Sequence, residues 1–87
     1  MAGNQPTSEA YRAVIGALRA YSTSLRQNAG LVKQTDQLLE GNLSSVRKAR
    51  DVHNAVAGLV PQLNQRADMM ESLAQALQAR LVELENL

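Results

Sequence analysis

From Tyr11 onward the apolar residues Tyr11, Val14, Ile15, Leu18, Tyr21 and Leu25 recur at intervals of three and four, the spacing of one face of an α-helix. Thr7 and Ser8 stand just before Glu9, so capping chemistry places the helix start near Ser8. With Tyr11 taken as position a of a heptad, the register runs through the whole chain without insertion or deletion. The a series is Tyr11, Leu18, Leu25, Val32, Leu39, Val46, His53, Val60, Ala67, Ala74 and Leu81. The d series is Val14, Tyr21, Asn28, Thr35, Asn42, Ala49, Val56, Leu63, Met70, Leu77 and Leu84, so eighteen of the twenty-two positions are apolar. Strand-type alternation bounded by turn residues is not apparent, and a repeat this sustained predicts an all-α chain with coiled-coil packing.

The seam is uneven. It is apolar throughout from Tyr11 to Leu25 and again from Val60 to Leu81, but between Asn28 and Asn42 only Val32 and Leu39 are apolar. Leu31, Leu38 and Leu43 sit beside that weak stretch, and a buried stripe displaced toward them would give this part a different neighbour from the two ends. Three places can interrupt the helix: Gly30, the run Gly41-Asn42-Leu43-Ser44, and Gly58 with Pro61. The second makes the best turn, with Gly41 in the left-handed C-terminal position, Leu43 as its apolar contact and Ser44 as the next cap. The pattern therefore predicts a long helical hairpin: a flexible segment over 1–7, a helix over about 8–40, a turn over about 41–44, and a helix over about 45–86 with a kink near Pro61. Two other architectures fit the same register. One is a continuous rod of roughly 110 Å, at 1.5 Å per residue, and the other is a three-helix bundle with corners at Gly30 and Pro61.

Composition narrows the chemistry. The 87 residues contain no cysteine and one histidine, which removes disulfides, thiolate nucleophiles and the usual zinc sites; His53 by itself defines no metal site. The glycines lie too far apart for a phosphate loop, and no serine is arranged with His53 as a nucleophile. No cofactor, small-molecule substrate or enzymatic activity is expected. Nine Lys and Arg balance eight Asp and Glu, so nucleic acid is not an expected partner, and neither is a membrane. A cytoplasmic chain is expected. Arg12, Arg19, Arg26 and Lys33 nevertheless form a basic rail along one edge of the first helix, and the C-terminal portion, with Asp68, Glu71, Glu83 and Glu85 against Arg66 and Arg80, is net acidic, so a hairpin sets one against the other.

Thirteen alanines, two tyrosines and no Phe or Trp leave little bulk for a self-sufficient core. The expected role is that of a non-enzymatic interaction subunit joining other helical chains, copies of itself or different subunits. Its interface is expected at Tyr11, Leu18, Leu25, Leu39, Val46, Val56, Leu63, Met70, Leu77, Leu81 and Leu84. Asn28, Asn42 and His53 are read as polar seam residues that set alignment and partner choice at some cost in stability. A helical secretion-system component or chaperone, or an amphipathic membrane-surface binder, would use the same pattern. The tryptophan-glycine turn of type VII secreted hairpins does not occur here, since the chain has no tryptophan.

Overall fold

The computed structural model describes residues 5–42 and 46–87. It consists of two helices, α1 (Gln5–Asn42) and α2 (Val46–Glu85), packed along their lengths as an extended hairpin, with no strand among the described residues. At 1.5 Å per residue each helix is about 60 Å long. The Cα extents of 66 × 14 × 11 Å therefore match two helices side by side. That shape excludes both the single rod and the three-helix bundle.

Two local expectations change. Gly41 lies inside α1 and no glycine among the described residues has a positive φ, so Gly41 does not form the left-handed cap expected of it. The helix runs on to Asn42, and the Leu43 contact and Ser44 cap fall outside the described residues. At the other end α1 begins at Gln5, ahead of Ser8, and Pro6 occupies its first turn, where a missing N–H costs nothing. Pro61 lies within α2, which continues through it to Glu85. The proline removes one backbone hydrogen bond and crowds the carbonyl of Ala57, a cost of about 3 kcal/mol in an isolated helix. Packing against α1 over the whole length offsets it.

The helices pair in a constant antiparallel register. Ser22 Oγ donates to the Ala67 carbonyl oxygen at 3.0 Å, and His53 Nδ1 sits 3.0 Å from Asp36 Oδ2. Moving from Ser22 to Asp36 along α1 thus moves from Ala67 back to His53 along α2, fourteen residues, or two heptads, on each side. On α2 the expected a and d positions face α1. On α1 the a positions do so as well, but the second buried series is Ser8, Ile15, Ser22, Ala29 and Asp36, one residue beyond the expected d series. Val14, Tyr21, Asn28, Thr35 and Asn42 are consequently exposed. The buried stripe also moves away from Leu31 and Leu38, which are exposed too.

Side-chain size explains the choice. Ser22 is 1% exposed against Ala67 at 0%, with Ala74 at 0% and Ala29 at 3% nearby. Small residues here let two backbones approach, as the large Tyr21 would not, whereas Ile15, no smaller than Val14, fills the seam one heptad earlier. Ile15, Ala74 and Leu81 form the best-buried apolar cluster, with Tyr11, Leu18 and Leu77 packed against it.

Candidate functional site

Helical geometry gives the hairpin two dissimilar long faces. One side of the interhelical seam is made by Ser8, Ile15, Ser22, Ala29 and Asp36 of α1 against His53, Val60, Ala67, Ala74 and Leu81 of α2. Every buried residue among the described ones except Leu25 lies on this side. Its flanks are charged: Arg12 pairs with Glu85, and Arg26 Nη2 lies 2.7 Å from Asp68 Oδ1. Half of the basic rail therefore meets carboxylates of the C-terminal part of α2 within the same chain.

The other side of the seam carries the larger side chains and is only partly closed. Tyr11, Leu18, Val32, Val56, Leu63, Met70, Leu77 and Leu84 are half-buried here. Beside them stand the exposed residues Val14, Tyr21, Leu31 and Leu38 on α1 and Leu59, Met69 and Leu73 on α2. Leu38 and Met69 are each 67% exposed. Near the open end, Ala10, Tyr11, Val14 and Leu77 line a shallow apolar recess. Arg66 and Arg80 punctuate this face, and Arg80 Nη1 lies 3.7 Å from Glu83 Oε2. Apolar side chains of both helices thus share this face with Asn28, Thr35 and Asn42, which are exposed on α1.

The expected interface residues divide among three environments. Leu25 and Leu81 are buried between the helices of the same chain and are not available to a partner. Tyr11, Leu18, Val56, Leu63, Met70, Leu77 and Leu84 are shared between the hairpin and its open side, while Leu39 and Val46 flank the turn and are exposed. Asn28 and Asn42 are not buried seam amides: both are exposed, and Asn42 Nδ2 donates back to the Leu38 carbonyl at 2.7 Å. Thr35 does the same to Leu31 at 2.9 Å. The one-residue shift of the α1 seam turns all three outward. The same shift leaves Leu31 and Leu38, one heptad apart on α1, as surface residues.

His53 does take a seam position, and folding supplies the carboxylates it lacks locally. Its Nδ1 lies 3.0 Å from Asp36 Oδ2 and 2.8 Å from Glu40 Oε1. Asp36 is 5% exposed, and its other oxygen, Oδ1, is buried without a hydrogen-bond partner. The hydrogen bond to Asp36, then the negative charges of Asp36 and Glu40, hold the imidazole above its ordinary value of 6.5 against a small opposing effect of desolvation. Asp36 and Glu40 are one turn apart on α1, a visible pairing whose link to His53 depends on where the chain reverses.

Compared with protein-family models, curated proteins and solved structures, the chain matches none. No helix among the described residues is long and apolar enough to cross a membrane.

Proposed function

We propose that this chain is a non-enzymatic interaction subunit whose half-open apolar face is covered by another helical chain, either a second copy or a different subunit, in a coiled-coil assembly. The observation that carries the reading is the asymmetry of the seam. One side, with Ile15, Ser22, Ala29, Ala67, Ala74 and Leu81, is closed within the chain, while the bulky side chains of the other side keep much of their surface in water. Two hairpins laid face to face would bury that surface in a four-helix arrangement. Each Å² of apolar area covered is worth about 25 cal/mol, which favours association.

Substitutions that test this must leave the hairpin intact, so the exposed Leu31, Met69 and Leu73 are suitable and the buried Leu81 is not. Light scattering across a dilution series is expected to give a mass above the 9.4 kDa of one chain. Met69→Asp with Leu73→Asp is expected to lower it to the monomer while circular dichroism stays helical. A wild-type monomer that still binds an apolar dye, with binding lost in the double variant, assigns the face to a different subunit. A helical monomer that binds no dye overturns the reading.

A further inference from the structure

We propose that Asp36, Glu40 and His53 form a binding site for a divalent transition-metal cation that clamps α1 to α2 near the turn. The three residues offer one imidazole nitrogen and two carboxylate oxygens within 4.8 Å of one another. A mixed nitrogen and oxygen set suits zinc, cobalt, nickel or manganese better than calcium, which takes oxygen alone. Two of the three spacings fit as they stand. Two ligands at right angles and about 2.1 Å from a metal are about 3.0 Å apart, and Nδ1 lies 3.0 and 2.8 Å from the two oxygens. All three donor atoms lie within 4.8 Å of one another, so a cation replacing the shared proton draws the two carboxylates in around itself.

Charge and burial favour occupancy. Two carboxylates around a neutral imidazole total −2, which one dication cancels. The Asp36 carboxylate is enclosed with Oδ1 unpartnered, so its charge is poorly compensated by the present contacts. His53 and Glu40 are exposed, leaving a path for the ion and room for water as further ligands. Lys33 lines the same recess, together with Val56, Val60 and Pro61, and its ammonium is the competing counter-charge. The site lies on the charged side of the hairpin and shares only Val56 with the open face, and none of its three donor residues belongs to that face, so it stands or falls independently of the assembly proposed above.

Zinc chloride titrated into the full-length chain by calorimetry is expected to show one equivalent bound, and thermal unfolding followed by circular dichroism is expected to move to higher temperature as zinc is added. His53→Ala, at an exposed position, is expected to abolish both effects while helix content is retained, and Glu40→Gln to weaken binding at least tenfold. Asp36→Asn is expected to remove binding, and Lys33→Ala to strengthen it. Absence of zinc binding by the wild-type chain, or equal binding by His53→Ala and Glu40→Gln, overturns the site.

Discussion

Ser22 and Ala67 set the distance between the helices, and their substitutions have predictable signs. A leucine at either position inserts several carbons where the neighbours leave no space, and the hairpin is expected to lose about 1–3 kcal/mol by thermal denaturation. Ser22→Ala keeps the volume and removes only the bond to the Ala67 carbonyl, so a loss of about 1 kcal/mol or less is expected. His53 contributes through its charge. With metal chelated, its folded-state value lies above the unfolded 6.5, so the contribution is complete below pH 6.5 and is lost as pH rises through the higher folded value. The groups around the ring in this recess are Lys33, Asp36 and Glu40 of α1; from α2 it is lined by Val56, Ala57, Val60 and Pro61. Melting temperature is expected to fall across that interval for the wild type and to stay level for His53→Ala. The sequence identified His53 as a seam residue but not its partners. A cross-helix contact depends on the turn's position to within a residue, and Gly41 signalled a reversal earlier than the chain makes it.

At the level of the helix, the register of α2 and the existence of two arms were legible because leucine, valine and alanine recur without interruption from Val56 to Leu84. For α1 the same reasoning selected the wrong neighbour of a correct a series. Tyr21 is more hydrophobic than Ser22, and a scale that rewards hydrophobicity alone cannot see that close backbone approach favours the smaller residue; Ile15 and Ala29, in contrast, are as apolar as or more apolar than Val14 and Asn28 beside them. The glycines misled for a related reason: they read as breaks, whereas Gly30, Gly41 and Gly58 all lie within helices. A Cβ added at Gly30 or Gly58 meets nothing within 4 Å. Gly30→Ala and Gly58→Ala are therefore each expected to raise stability by about 0.5–1 kcal/mol, measured by denaturant or thermal unfolding.

For the molecule as a whole, the separation of a charged side from an apolar side determines how association should respond to solution conditions. If the apolar face carries it, the mass measured by light scattering is expected to hold between about 0.1 and 1 M salt, where screening shortens the reach of exposed charges from about 10 to 3 Å. Dissociation over that range would instead point to the Arg12, Arg19, Arg26 and Lys33 edge. The matched two-heptad stepping of Ser22 to Asp36 against Ala67 to His53 has a further consequence. Excising residues 19–25 from one arm and 64–70 from the other would bring every remaining side chain back to its own azimuth opposite its own counterpart, giving a shorter spacer with both surfaces preserved. Removing a single residue from one arm would rotate everything beyond it by about 100°, so this architecture can change its reach only in quanta of seven.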